Sequence, residues 1–233
     1  MTALRVAAFL YWAVVYFLFL ITIVWFGGFI ANRYVFSTID SGLQIPAREA
    51  AVVDLVLLAA FGLQHSLMAR KGWKRLLPWP VERTTYMLAS CIALAAIFRF
   101  WEPIPELVWR MESARWPPAL LSLAGAILVV WSSLAMDHWD TFGFKQAWAF
   151  LRGRTYEPPP FRAPGPYRWS RHPMMLGVIL LLWATPEMSQ GHLLFSAVLT
   201  VYILLATVFE ERDLARRYPQ AYEQYRRRVR RLL

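Results

Sequence analysis

Cysteine, histidine and acidic side chains are scarce in this chain of 233 residues. It has one cysteine, four histidines and 15 aspartates and glutamates, against 25 lysines and arginines. A single thiol can neither close an intrachain disulfide nor build a thiolate metal site. Because Cys91 lies within an apolar run, we expect it to pack as a small hydrophobic residue.

Several motifs that mark soluble enzymes are also absent. The sequence contains no G-x-G-x-x-G, no G-x-S-x-G and no H-E-x-x-H. Their absence argues against a Rossmann dinucleotide site, the nucleophile elbow of an α/β-hydrolase and a helical zinc pair. No two histidines stand three or four residues apart, so we predict no metal site.

Long apolar runs are what the sequence has in abundance. Hydrophobic residues make up 58% of the chain and charged residues 17%, and several runs approach the ~20 residues that a helix needs to cross a membrane. The runs lie at 6–31, 50–68, 85–101, 119–136, 174–188 and 192–209. The sequence therefore predicts an all-α, multi-pass membrane bundle of five to six helices. The first run is too long for a signal peptide, so we expect it to be retained.

Basic residues are distributed unevenly around these runs. If the N-terminus is cytoplasmic, all but five of the 25 lysines and arginines fall on the cytoplasmic side. The exceptions are Arg33, Arg48, Arg99, Arg110 and Arg115. The positive-inside rule therefore predicts that both termini are cytoplasmic. We attribute the net charge of +10 to topology and contacts with membrane lipids and expect no nucleic-acid partner, because no nucleic-acid motif accompanies it.

The stretch 165–225 contains an apolar hairpin with charged residues at both ends. Arg171, His172 and Pro173 precede its first arm, and Glu210 and Glu211 follow its second arm. Antiparallel arms return to the same membrane surface, so these charged groups are expected to face each other. We predict a division into residues 1–136, with the first four membrane helices, and residues 137–233, with the cytoplasmic linker, the hairpin and a tail that together form the cofactor-binding core.

The first arm of the hairpin is short for a membrane span. A helix from Pro173 to about Trp183 would be only about 16 Å long at about 1.5 Å per residue, against a ~30 Å hydrocarbon core. Either the helix continues, kinked, through Pro186, or the segment is re-entrant, with non-helical backbone that is buried in protein or lines a cavity. Both alternatives imply a pocket.

Ionisable residues collect at the predicted cytoplasmic ends of the spans. Such groups are costly at membrane depth unless they are paired or functional. The set comprises His65, Asp137, His138, Asp140, Arg171, His172, Glu210 and Glu211. Their convergence predicts a polar site between the hairpin and the basic tail.

Two motifs resemble the membrane methyltransferase superfamily that includes isoprenylcysteine carboxyl methyltransferases and phospholipid methyltransferases. The first is RHPMMLG at 171–177, and the second is EERDL at 210–214, followed by Tyr218, Tyr222 and Tyr225. Other segments are similar to the bacterial methanethiol S-methyltransferase family within that superfamily. They read GLQHSLMAR, PVERTTYMLAS, FWEPIPELVW, DHWDTFGFKQAW, HPMMLG and WATPEMSQGHLLF.

The resemblance implies S-adenosylmethionine as the cofactor, in a pocket capped by the hairpin and the C-terminal segment. Glu210, the first acid of the second motif, would hold the cofactor's ammonium group by a charge-assisted hydrogen bond. The cofactor-binding residues that the resemblance implies are Phe161, Arg162, Tyr167, His172, Pro173, Met174, Met175 and Glu210. The chain departs from the family pattern where Met175 replaces a tyrosine, where Pro219 replaces a glycine and where the tail lacks terminal prolines.

The resemblance also bears on the acceptor, because Ala206 stands where prenylcysteine enzymes have an arginine. A carboxylate acceptor would lack its cation, which favours a small, neutral acceptor. The expected activity is S-adenosylmethionine-dependent S-methylation of a small thiol, methanethiol to dimethyl sulfide, in the bacterial cell membrane. The thiol must lose its proton, and the candidate bases are His138 and His65, with Asp140 and Asp137 as orienting partners. Deprotonation by water is an equal alternative.

Other functions fit parts of the same pattern. A prenylcysteine or phospholipid methyltransferase is the nearest alternative. A non-enzymatic NnrU-like membrane protein that serves in haem or cofactor handling is a second. A transporter is disfavoured because the sequence has no inverted repeats with broken helices in corresponding positions. The sequence specifies neither the physiological thiol nor the oligomeric state.

Overall fold

The computed structural model describes residues 2–74, 76–113 and 115–232. In chain order the elements are α1 (Thr2–Ile30), α2 (Ala47–Ala69), α3 (Lys71–Lys74), α4 (Glu82–Phe100), β1 (Leu107–Arg110), α5 (Trp116–Ala135), α6 (His138–Thr141), α7 (Phe144–Leu151), a 3₁₀ turn (Gly165–Arg168), α8 (Pro173–Trp183), β2 (Glu187–Ser189), α9 (Gln190–Arg217) and α10 (Pro219–Arg228). Within the described ranges, four helices are long and apolar enough to cross a membrane, namely α1, α2, α5 and α9. The predicted multi-pass helical membrane fold is confirmed, and the chain is an integral membrane protein.

The chain forms two compact units, each built from two separate stretches. The first unit comprises Met1–Pro105 and Trp139–Pro158, and the second comprises Glu106–His138 and Pro159–Leu233. The predicted functional division into 1–136 and 137–233 is contiguous and stays a prediction.

The first unit is organised by α1, which packs against α4 and α7, while α2 packs against α4. Val15, Met87 and Cys91 form a buried cluster, so Cys91 packs as a small hydrophobic residue, as the sequence indicates. The indole of Trp12 donates a hydrogen bond to the carbonyl of Phe142 at 2.9 Å. This bond ties α1 to the loop that precedes α7.

The second unit is organised by the close packing of α5 on α8. A Cβ atom placed on Gly125 would lie 2.8 Å from the carbonyl oxygen of Gly177, and one placed on Gly177 would lie 2.7 Å from the carbonyl oxygen of Gly125. Small residues of this kind let two helix backbones approach closely within a membrane. The contact fixes the first turns of α8, where predicted cofactor residues lie.

The first arm of the hairpin is a short helix, because α8 ends at Trp183. The predicted short arm is confirmed, but the alternative of a kinked helix through Pro186 is wrong. Instead β2 pairs antiparallel with β1, and the carbonyl of Pro186 accepts a hydrogen bond from the Met111 amide at 2.9 Å. Met188 and Ser189 of β2 are almost completely buried. Non-helical backbone is therefore satisfied within protein, as the re-entrant alternative requires.

The return arm is anchored at its start. Ser189 caps α9 by accepting a hydrogen bond from the His192 amide at 3.0 Å. The ring of the buried His192 donates from Nε2 to the carbonyl of Leu182 at 3.0 Å, a group that α8 leaves without a helical partner. The His192 side chain therefore joins the two arms of the hairpin.

Candidate active site

The charged ends of the hairpin meet at a buried carboxylate. Glu211 is 5% exposed and accepts hydrogen bonds from Arg171, with Nε at 2.9 Å and Nη2 at 3.3 Å. Arg231 contacts the same carboxylate, with Nε at 3.3 Å and Nη2 at 3.2 Å. The Nε2 atom of His172 lies 3.1 Å from Glu211 Oε1. The two carboxylate oxygens of Glu211 are therefore in contact with two guanidinium groups and one imidazole.

The neighbouring acid has a different environment. The side chain of Glu210 is 54% exposed, and one of its oxygens lies 3.5 Å from His172 Nδ1. His172, itself buried, thus has a carboxylate beside each ring nitrogen. Glu210 retains an accessible negative charge for a ligand, whereas Glu211 is committed to internal ion pairs.

The C-terminal segment builds one wall of the site. The amides of Arg171 and His172 donate to the carbonyls of Arg230 and Arg231 at 2.9 and 3.1 Å. Arg171 Nη1 also donates to the carbonyl of Val229 at 2.6 Å. Sequence reasoning missed Arg231, because one arginine among many in a basic tail gives no signal of its own.

Aromatic residues form a second wall. The ring of Phe161 lies 5.5 Å from Tyr218, 5.9 Å from Tyr222 and 5.5 Å from Tyr225. The Tyr225 hydroxyl donates to the carbonyl of Tyr167 at 2.7 Å. Burial raises the pKa of Tyr222 and of Tyr225 to about 12, and it also raises that of Tyr167, with a further contribution from the Glu210 charge. These phenols are neutral at physiological pH.

One hydroxyl of this aromatic wall lacks a partner within the described part of the chain. Tyr222 is 1% exposed, and its buried oxygen makes no hydrogen bond there. The charges of Glu211 and Glu210 both raise its pKa, which places the phenol near the acid pair. A buried polar atom without a protein partner favours a hydrogen bond to a ligand or to a water molecule.

The remaining predicted cofactor residues lie around the start of α8. Pro173 occupies the first turn of the helix and is buried, while Met174 and Met175 are half-buried. Arg162 donates to Asp137 at 3.3 Å. The structure thus brings the predicted set together in the second unit, although their contacts with a cofactor stay a prediction.

His138 also belongs to the second unit. Its Nδ1 atom lies 2.7 Å from Ser133 Oγ, and burial lowers the pKa of His138 below its usual value. The imidazole is therefore neutral near pH 7. The tautomer that donates from Nδ1 to Ser133 has a lone pair on Nε2, as a general base requires.

His65 and Asp140 lie in the first unit. His65 has Nδ1 at 3.1 Å from Ser90 Oγ and Nε2 at 2.6 Å from the Tyr86 hydroxyl. Asp140 is buried and paired with Arg83 at 2.9 Å, and it accepts a hydrogen bond from Tyr156 at 2.7 Å. The roles of His65 as a base and of Asp140 as an orienting group stay predictions.

No group of three or more histidine, cysteine, aspartate or glutamate side chains is arranged to hold a metal ion in the part of the chain that the structure describes. The donors at the candidate site are paired carboxylates, guanidinium groups and phenols. Within this set, the exposed carboxylate of Glu210 is the group suited to a positively charged organic ligand, because guanidinium groups repel a cation.

Comparisons with known proteins bear on the family of the chain. The family model described as phospholipid methyltransferase matches residues 114–221. Methanethiol S-methyltransferase 1 of Bradyrhizobium diazoefficiens is 39% identical over 228 residues, which cover 95% of this chain and 80% of that protein. Methanethiol S-methyltransferase of Mycobacterium tuberculosis is 39% identical over 235 residues, covering 98% and 96%. The chain belongs to the methanethiol S-methyltransferase family.

The family resemblance inferred from the motifs is thereby confirmed, and membership of a methyltransferase family implies a methyl donor. A more distant similarity extends to Nurim of Sus scrofa, which is 31% identical over 175 residues, covering 69% of this chain and 66% of that protein. No solved structure matches the chain.

Proposed function

We propose that this protein catalyses S-adenosylmethionine-dependent S-methylation of a small thiol, with methanethiol as the first substrate to test and dimethyl sulfide as its product. The observation that supports this most strongly is near-full-length similarity, at 38–40% identity, to proteins named methanethiol S-methyltransferase. The site supports it independently, because an exposed carboxylate stands beside a buried His172 and an aromatic wall.

The residues present fit the proposed cofactor. Glu210 has an accessible carboxylate that would hold the ammonium group, and the orphaned hydroxyl of Tyr222 is available to a polar edge of the same ligand. Met174, Met175 and Phe161 offer polarizable and aromatic surface. When bound, S-adenosylmethionine supplies a methyl group on a positively charged sulfur. Phe161, Arg162, Tyr167, His172 and Pro173 complete the proposed binding set.

The chain's own contribution to chemistry is positioning, exclusion of water and removal of one proton. Transfer from a sulfonium to a thiolate eliminates two opposite charges, so an apolar surrounding assists it. His138 would accept the thiol proton at Nε2, held in orientation by Ser133 at 2.7 Å. Ala206 leaves position 206 without a cation for a carboxylate acceptor. A small neutral thiol needs no such cation.

A phospholipid acceptor is the second candidate, because the matching family model is described as phospholipid methyltransferase. The two acceptors are distinguished in one assay. Purified protein is supplied with S-adenosylmethionine and either a panel of small thiols or phosphatidylethanolamine vesicles. We expect volatile methyl thioethers in the headspace by gas chromatography. Methylated lipid without any thioether would overturn the thiol assignment and retain the methyltransferase.

We further propose that the protein lies in the bacterial cell membrane with both termini cytoplasmic. The distribution of basic residues supports this orientation. It would place the acid pair, the tail and the aromatic wall on the side where S-adenosylmethionine is made.

A further inference from the structure

A groove on the second unit lies outside the proposed cofactor set. It is lined by Ala163, Arg168, Ala221, Gln224, Tyr225, Arg228 and Val229. Arg168 and Arg228 are both exposed, and the small apolar side chains of the lining are Ala163, Ala221 and Val229. Among the described residues that line the groove, none is acidic.

The two arginines differ from others in the same region. Arg226 and Arg227 both pair with Glu223, at 2.9 and 3.2 Å. Within the described ranges, neither Arg168 nor Arg228 has a carboxylate partner. A concave surface with two uncompensated guanidinium groups favours a phosphate, which guanidinium binds in a bidentate manner.

The groove lies beside the end of a membrane helix. The 3₁₀ turn that ends at Arg168 packs on α5, because a Cβ on Gly165 would lie 3.1 Å from Ala135 and 3.3 Å from the Trp131 indole. Trp169, which follows Arg168, is 61% exposed, and its ring lies 5.1 Å from that of Trp131. Tryptophans of this kind collect where hydrocarbon meets headgroups. The two tryptophans therefore predict that the groove lies at the depth of lipid phosphates.

We infer that this groove binds the headgroup of an anionic phospholipid, with Arg168 and Arg228 contacting its phosphate and the amide of Gln224 available to a glycerol hydroxyl. The bound headgroup also stabilises the site described above. Arg168 follows Tyr167 in the 3₁₀ turn, and the groove residue Tyr225 donates to the Tyr167 carbonyl at 2.7 Å. Lipid binding therefore orders the turn that presents Tyr167, and it can be measured without any methyl transfer.

The test uses the full chain in nanodiscs of phosphatidylcholine with or without phosphatidylglycerol. Lipid retained after extraction is identified by native mass spectrometry for the wild type and for R168Q/R228Q. We expect the wild type to retain phosphatidylglycerol and the double variant to bind it roughly thirtyfold more weakly, since each arginine contributes a factor of about five. R168K/R228K should restore part of the binding, because the charges remain.

The matched control is R216Q/R227Q, which removes two exposed charges from the same half of the chain but from ion pairs outside the groove. It should retain phosphatidylglycerol. Equal loss in this control would show a general charge effect and overturn the site. Inorganic phosphate that displaces the lipid at low millimolar concentration, with no preference for phosphatidylglycerol, would assign the groove to free phosphate. Loss of S-adenosylmethionine binding by R168Q/R228Q in lipid-free detergent would assign it to the cofactor.

Discussion

Glu210 and Glu211 are adjacent in sequence but serve different purposes, because successive residues of a helix point about 100° apart. Glu211 points inward, where it neutralises two arginines and fixes one nitrogen of His172. Glu210 points to solvent beside the other nitrogen. A binding role and a structural role are thus separated by one residue.

This separation predicts opposite outcomes for two amide substitutions. Glu210→Gln removes the accessible charge, so S-adenosylmethionine should bind roughly 10- to 100-fold more weakly by calorimetry, corresponding to about 1.5 to 3 kcal/mol, with the thermal midpoint unchanged. Glu211→Gln leaves Arg171 and Arg231 without their counter-charge and should destabilise the fold by about 3 kcal/mol. Unaltered affinity in Glu210→Gln, with affinity lost only in a folded Glu211→Gln, would reverse the two roles.

His138 gives a prediction on pH. Because burial lowers its pKa, the base form is present at and above its usual value of about 6.5. If it accepts the thiol proton, the rate should fall only as pH drops through the lowered pKa and should be flat above it. His138→Ala should then reduce turnover roughly a hundredfold, and His65→Ala serves as the comparison. A rate that climbs toward the thiol's own pKa and is unchanged in both variants would favour deprotonation by water.

At the scale of elements, the position of α8 depends on two glycines. Gly177→Ala should lower the thermal midpoint by the equivalent of about 1 to 3 kcal/mol, because the new Cβ would lie 2.7 Å from backbone and 2.8 Å from the Val129 side chain. Gly27→Ala in α1 is the control, since no atom lies within 4 Å of its added Cβ and alanine favours the helix. Both are measured by thermal unfolding in the same detergent. Equal midpoints would contradict the close helix contact.

The C-terminal segment is a second element on which the site depends. Arg231→Ala removes two hydrogen bonds that hold the Glu211 carboxylate. Because Glu211 in turn orients the His172 ring, we expect cofactor binding to weaken severalfold. Arg227→Ala, an exposed arginine of α10 paired with Glu223, should have no effect.

A double-mutant cycle shows whether Arg231 acts through Glu211. In a Glu211→Gln background, the further change Arg231→Ala should cost little additional affinity, since the interaction is already lost. Additive losses would instead indicate a separate role for Arg231.

At the scale of the whole molecule, orientation is the main prediction. A C-terminal alkaline phosphatase fusion should be inactive and a C-terminal fluorescent protein fusion should be bright, because most basic residues flank the predicted cytoplasmic ends. An active phosphatase would place the acid pair outside the cell. That result would contradict the use of cytoplasmic S-adenosylmethionine.

Much of the molecule follows from local sequence. Apolar runs place the starts of α1, α2, α5 and α9 to within a few residues, since the length of a span is set by bilayer thickness. The end of α9 lies at Arg217, well past the end of its apolar run at 209. Pro173 marks the start of α8, and the R-H-P and E-E motifs mark the two ends of the apolar part of the hairpin. Composition alone excludes a soluble domain, because the apolar surface of the runs needs lipid around it.

Other features depend on residues far apart in the chain, and only tertiary structure decides them. The β1–β2 ribbon pairs 107–110 with 187–189, and no local pattern near Pro105 indicates a strand. The inward orientation of Glu211 depends on Arg171 and Arg231, 40 and 20 residues away. Sequence patterns indicate the periodicity and the length of each helix. Which residues form an ion pair depends on how the helices and the tail pack in three dimensions. The two acids therefore look equivalent in the sequence and differ in the folded protein.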